Sequence, residues 1–117
     1  MRNFKELKIW QKGFEISINS YKLVESFPST EKYSLGQQIT RAAVSIPSNI
    51  AEGSSRSGTK EYNHYPEISL GSSFELETQY LIAKELNFGN QELVANGLKQ
   101  LDEEQKMVIA FQKVLNK

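Results

Sequence analysis

QQITRAAVSIPSNIAEG, residues Gln37 to Gly53, is the stretch on which the fold turns. At helical spacing it has two faces. Ile39, Ala42, Ala43, Ile46 and Ile50 recur three and four apart and form an apolar stripe with small residues in it. Arg41, Ser45, Asn49 and Glu52 step by four, four and three and form a polar stripe beside it. Pro47 falls inside the segment, where it removes a backbone donor and frees the carbonyl of Ala43 four residues back. Ser45, Ser48 and Asn49 are the local groups expected to satisfy that carbonyl, so the spacing predicts one kinked helix rather than two. The polar stripe is expected to be at least partly buried, with Arg41 paired to Glu75 or Glu77 on another helix.

The flanking segments repeat the helical pattern. Asn3 with Glu6 reads as a capping pair, followed by Phe4, Leu7, Trp10, Phe14, Ile18, Tyr21 and Val24 at steps of three and four. A second apolar set, Ile9, Ile16, Leu23 and Phe27, lies to one side of that stripe. Two sectors exceed what one core needs, so the surplus is either the edge of a broad core or a surface for another subunit. Pro28 ends this helix, Ser29 to Tyr33 makes a turn, and Ser34 with Gln37 caps the next helix. Gly53 suits a left-handed C-cap before the Ser54–Gly58 run. Thr59 caps a third helix, to which Ile68, Phe74, Leu76, Leu81, Ile82 and Leu86 bring apolar contacts. In that helix Ser69, Gly71, Ser72 and Ser73 leave a slim patch for close approach. Pro66 either kinks this helix near Tyr62 or marks its true start, and the kink is the reading favoured here. Asn87 and Gly89 close it, and Asn90 caps a fourth helix carrying Leu93, Val94, Leu98, Leu101, Val108, Phe111 and Leu115. Gly97 costs that helix about 1 kcal/mol relative to alanine. The expected fold is all-α, an antiparallel up-down-up-down four-helix bundle, with helices over residues 4–27, 34–53, 59–87 and 90–116 in one domain spanning 1–117.

Composition narrows the function classes. The chain has 117 residues, 38% hydrophobic and 24% charged, which suits helices whose apolar faces are stripes and not runs. Lys plus Arg and Asp plus Glu are 14 each, so no net charge draws the chain to nucleic acid or a membrane. The absence of cysteine removes disulfides, thiol nucleophiles and thiolate metal sites. No run is apolar enough to span a bilayer and the N-terminus lacks a secretory pattern, so the expected location is the cytoplasm.

The segment RAAVSIPSNIAEG resembles the signature of the small four-helix-bundle proteins encoded by intervening sequences in bacterial large-subunit ribosomal RNA genes. LKIWQKG near the start, FPSTEKYSLGQQI before the signature and LGSSFELETQ after it extend the resemblance over nearly the whole chain. The accessory variability proteins of diversity-generating retroelements are similar to this family. The resemblance implies a pentameric barrel, no settled enzymatic activity, and, through the retroelement proteins, contact with RNA and a reverse transcriptase. Pro66 departs from the family pattern, which has an apolar, helix-compatible residue there.

Catalytic chemistry finds no support in the residues. Glu61 and His64 make an E-x-x-H pair, but a di-iron bundle needs two such pairs and His64 is the only histidine. Ser45 has no base at helical distance, Glu75 and Glu77 point to different faces, and the Ser-rich loop lacks a P-loop lysine. No catalytic residue, metal, cofactor or small-molecule substrate is expected. What remains is binding. Arg2, Lys5, Lys8 and Lys12 form a basic stripe on the first helix, and Arg56 and Lys60 flank the Ser-rich loop. Asp102, Glu103 and Glu104 read as a solvated acidic patch. Two functions follow: a non-enzymatic homo-oligomeric scaffold, a homopentamer by resemblance, whose seam includes Ile9, Ile16 and Leu23; or an RNA-binding accessory protein that repeats the basic stripe around its oligomer.

Overall fold

The computed structural model describes residues 3–117. All regular structure among them is helical: a 3₁₀ turn at Phe4–Glu6, then α1 Lys8–Glu25, α2 Ser29–Lys32, α3 Leu35–Gly53, α4 Thr59–Glu85 and α5 Gln91–Leu115. The four long helices are those expected, and α2 is a single turn inside the segment read as a turn.

Local chemistry accounts for the ends. Asn3 does cap, accepting from the Lys5 amide at 3.2 Å, but what it caps is the 3₁₀ turn. Leu7 is extended (φ −75°, ψ 127°) and packs into the core, so the first long helix begins at Lys8 and not at residue 4. Ser34 makes no side-chain cap, and Thr59 is the first helical residue after Gly58 rather than the cap itself. Asn90 caps as expected, accepting from the amides of Glu92 and Leu93 at 2.9 and 3.2 Å. The left-handed residues are Asn87 (φ 57°) and Gly89 (φ 74°). Gly53 is not one of them. It is the last residue of α3 and is needed for closeness, since a Cβ there would stand 2.9 Å from the Cβ of Tyr65.

The four long helices share one sequence device. In α1 the buried positions include Ile9, Gly13, Ile16, Ser20 and Leu23, continued by Phe27; in α3 they include Gly36, Ile39, Ala43, Ile46, Ile50 and Gly53. In α4 they include Tyr62, Pro66, Ser69, Ser73, Leu76, Tyr80 and Ala83, and in α5 Val94, Gly97, Leu101, Glu104 and Val108. Each series steps by alternate threes and fours, the repeat that keeps one seam facing neighbouring helices. Small residues on one helix meet large ones on another. A Cβ on Gly97 would lie 2.0 Å from the Tyr80 ring, so Gly97 is the space that Tyr80 fills and not a weak point of α5. The Tyr80 hydroxyl is then bound by Ser20 at 2.9 Å and by the Asn19 amide at 3.0 Å, and Asn19 also reaches the Leu93 carbonyl and the Asn96 amide. Burial pushes the Tyr80 phenol up, against the pull of those hydrogen bonds.

This repeat overturns the expected roles of the two sectors of α1. Ile9, Ile16 and Leu23 are buried in the chain's own core. The sector turned outward is Phe14, Ile18 and Tyr21, which are 48%, 44% and 52% exposed. Gly13 and Ser20 complete the buried series, and Gly13 lets the Ile46 side chain and the Pro47 nitrogen approach so closely that a Cβ there would stand 3.1 and 3.3 Å from them. In α4 the same inversion occurs. Leu76 is buried as expected, but Ile68, Phe74, Leu81, Ile82 and Leu86 face outward, while serines, Pro66 and Ala83 face in. Ser69 and Ser72 make the close contact predicted for them, bonding to Ile46 and Ser45 of α3, and Ser73 is buried, but Gly71 is exposed and meets nothing.

Both prolines lie inside continuous helices. The α4 helix therefore starts at Thr59, not at Pro66. The carbonyl of Ala43, freed by Pro47, is satisfied by a different residue from those expected: Ser17 of α1 donates to it at 2.8 Å. Asn49 instead donates to the Ser45 carbonyl and hydroxyl at 2.8 and 2.9 Å.

In space α1 packs on α3 and α5, and α4 packs on the same two helices, so α1 and α4 stand at opposite corners. No described helix is long and apolar enough to cross a membrane.

Candidate interaction surfaces

Four surfaces follow from this packing. The basic residues come first. Arg2 lies outside the described residues. Lys5 and Lys8 are exposed, but Lys12 is drawn inward, its ammonium 3.1 Å from Glu103 of α5. Arg56 and Lys60 line an open groove with Glu61, Asn63, His64, Tyr65 and Glu67, where the Arg56 guanidinium sits 4.9 Å from the centre of the Tyr65 ring. The start of α1, the end of α3 and the end of α5 meet in a second apolar cluster around Ile9, Ile50 and Val108, and Tyr62 of α4 packs on Phe111 beside it. Lys5 and Lys8 thus share one end of the molecule with Arg56 and Lys60, a proximity that sequence distance conceals.

The acidic run is the second surface, and its three members have separate fates. Asp102 is exposed and pairs with Lys106 at 2.9 Å, and Glu103 holds Lys12. Glu104 is not solvated at all. It occupies a seam position of α5, fully buried, with both carboxyl oxygens unpartnered. One oxygen stands 3.3 Å from where a Cβ of Gly13 would be. Burial raises its carboxyl to about 8, against a smaller opposing pull from Lys12.

The polar stripe of α3 is the third. Ser45 and Asn49 are half-buried, and the Ser45 hydroxyl shares a 2.7 Å hydrogen bond with Ser72 of α4, so this half is a helix–helix contact. Arg41 and Glu52 are exposed. The expected Arg41 partners are otherwise engaged, Glu75 with Gln79 and Glu77 with Gln105.

The apolar outer faces are the fourth. On α1, Trp10, Phe14, Ile18 and Tyr21 form one wall of a groove whose other wall is Val44, Pro47, Ser48 and Ala51 of α3. On α4, Phe74 and Leu81 lie two turns apart on the outer side, with Ile68 and Ile82 flanking them. The sequence signal for the α1 face was present as surplus hydrophobicity, but its direction was not, because Gly13 and Ser20 complete the buried series of that helix.

Comparison with solved structures finds the same fold in a protein of unknown function from the S23 ribosomal protein family of Bacteroides thetaiotaomicron VPI-5482, with a TM-score of 0.82 and 19% identity, covering 90% of this chain and 98% of that one. Curated proteins give no match. The 23S rRNA-intervening sequence protein family matches residues 5–110, nearly the whole described chain, a span that holds α1, α3 and α4 with the signature on α3 and all of α5 but its last turn. The chain belongs to the 23S rRNA-intervening sequence protein family.

Proposed function

We propose that this protein is a non-enzymatic scaffold that works as a homo-oligomer, a single-domain, cytoplasmic antiparallel up-down-up-down bundle whose copies join through the outer faces of α1 and α4. The observation that carries this reading is the pair of apolar faces at opposite corners, Phe14, Ile18 and Tyr21 on one and Phe74, Leu81 and Ile82 on the other. Two different faces favour head-to-tail contacts, which form a ring when the rotation between copies closes; a two-fold dimer through either face would leave the other in water. The pentamer implied by the family resemblance is such a ring. The antiparallel order is supported by the contacts of Gly13 with Ile46 and Glu104, of Phe27 with Phe88, and of Tyr62 with Phe111.

The test is light scattering of the wild type and of two charge variants. Ile18→Glu should yield a folded species of subunit mass, while Ile16→Glu should unfold the chain, because Ile16 is fully buried in its own core. A wild type of subunit mass at micromolar concentration would reject the reading.

A second reading, an RNA-binding accessory protein acting with a nucleic-acid enzyme such as a reverse transcriptase, is favoured by the meeting of Lys5, Lys8, Arg56 and Lys60 at one end. Engagement of Lys12 with Glu103 weakens it. Binding of structured RNA should then fall steeply with salt and fall further in a Lys5→Glu, Lys8→Glu double variant. Equal binding by both proteins would remove it.

A further inference from the structure

We propose that Glu104 is a proton-operated switch at the α1–α5 contact, held neutral in the core and, on losing its proton, drawing Lys12 away from Glu103. Three observations converge on it. Glu104 occupies a seam position otherwise filled by residues such as Leu101 and Val108, so the fold places it inside rather than tolerating it at an edge. Its two oxygens have no partner, which a neutral acid in an apolar setting endures far more easily than a carboxylate. Finally, Lys12 is next to Gly13, against which the Glu104 carboxyl lies, and it acts on that carboxyl electrostatically, yet it is bonded to the adjacent Glu103 in a pair that is partly open to water.

The groups around Glu104 make the switch specific. On α1 the charged neighbour is Lys12, with Gly13 beside it leaving the pocket for the carboxyl. The buried face of α3 contributes Ile46 and Pro47, neither of which titrates. The titratable groups on the buried face of α4 are the phenols of Tyr62, which packs on Phe111, and Tyr80, which is committed to Asn19 and Ser20. The next α4 acid, Glu77, is held by Gln105 at 2.8 Å. On α5 itself Asp102 is occupied by Lys106, leaving Glu103 as the competitor for Lys12. When Glu104 ionises, its proton leaves to solvent and the buried charge needs a counter-ion. Lys12 is the cation placed to supply it. Its move opens the link to Glu103 and changes how α1 rests on α5, on the helix whose other side carries Phe14 and Ile18.

The experiment is a carbon-detected NMR titration of glutamate side-chain carboxyls and the Lys12 side chain in the full chain, from pH 4 to 10. One carboxyl should titrate several units above the rest, in the region of pH 8, and should vanish in Glu104→Gln, which keeps the pocket filled. The Lys12 resonances should shift with the same midpoint. Lys12→Met should raise the midpoint by removing the counter-ion, and Glu103→Gln should lower it by releasing Lys12. A Glu104 carboxyl that titrates with the exposed acids overturns the proposal. So does a raised midpoint that neither Lys12→Met nor Glu103→Gln moves, since Lys12 would then not respond.

Discussion

Gly97 and Gly71 both sit inside helices, where glycine costs roughly 0.5–1 kcal/mol relative to alanine. The same substitution should have opposite effects at the two. A Cβ at Gly97 would collide with the Tyr80 ring and disturb the bonds of its hydroxyl to Ser20 and Asn19. Gly97→Ala should therefore destabilise by about 1–3 kcal/mol, the range of overpacking in a filled core. Gly71 has nothing within 4 Å, so Gly71→Ala should stabilise the subunit by about 0.5–1 kcal/mol. Urea unfolding of the two variants checks both signs. Glu104 adds a pH dependence. Its carboxyl is raised in the folded chain from an ordinary 4.5 to about 8, so between those values the folded chain holds a proton the unfolded chain has lost. Stability is accordingly greatest below that window and falls as pH rises through it, at up to about 1.4 kcal/mol per pH unit. Glu104→Gln should flatten this part of the profile in thermal melts taken from pH 5 to 9.

Pro47 is tolerated in α3 because a hydroxyl from another helix replaces the bond it removes. Ser17 donates to both the Gly13 carbonyl of its own helix and the Ala43 carbonyl across the contact. Ser17→Ala should leave the Ala43 carbonyl buried and unsatisfied, at a cost of about 1–3 kcal/mol. In a Pro47→Ala background the restored amide serves that carbonyl, and the cost of Ser17→Ala should shrink. A double-mutant cycle measures the coupling, and additive effects would show that the two sites are independent. α1 and α4 share a further property. Each intersperses small or polar residues among the large apolar ones of its inner face and shows further large apolar residues outside, so close approach of its neighbours depends on those small positions. Of this arrangement the sequence made the helices and their number legible, because periodicity survives any orientation. It left the facing of α1 ambiguous, because Gly13 and Ser20 look non-core until a partner helix is placed against them, whereas the serines of α4 already marked a close approach.

A heterologous ring makes a prediction about mixtures that a symmetric dimer does not. A Phe14→Glu, Ile18→Glu variant should lose the α1 face, and a Phe74→Glu, Leu81→Glu variant the α4 face, each becoming a single subunit in solution. Mixed, the intact α4 face of the first can meet the intact α1 face of the second, and growth stops there. Sedimentation should show a two-subunit species in the mixture and neither parent alone forming it. If both variants remain associated on their own, the seam lies elsewhere. Net charge would give such a ring no long-range repulsion to overcome, since positive and negative side chains balance at 14 each. Exposed pairs such as Asp102 with Lys106 contribute little to stability.

The sequence by itself determined that the chain is helical, where three of its four long helices begin, and that α3 carries an inward apolar stripe. These are set by local spacing, prolines and caps, which act within a few residues. Only the tertiary structure decided that Ile9, Ile16 and Leu23 face in and Phe14, Ile18 and Tyr21 face out, and that Lys12 belongs to Glu103. It alone also made Gly97 a socket and turned one member of an acidic run into a buried acid. The reason is physical: a seam is defined by what fits against it, and the residues that permit a close fit are the small ones, whose meaning lies in their neighbours.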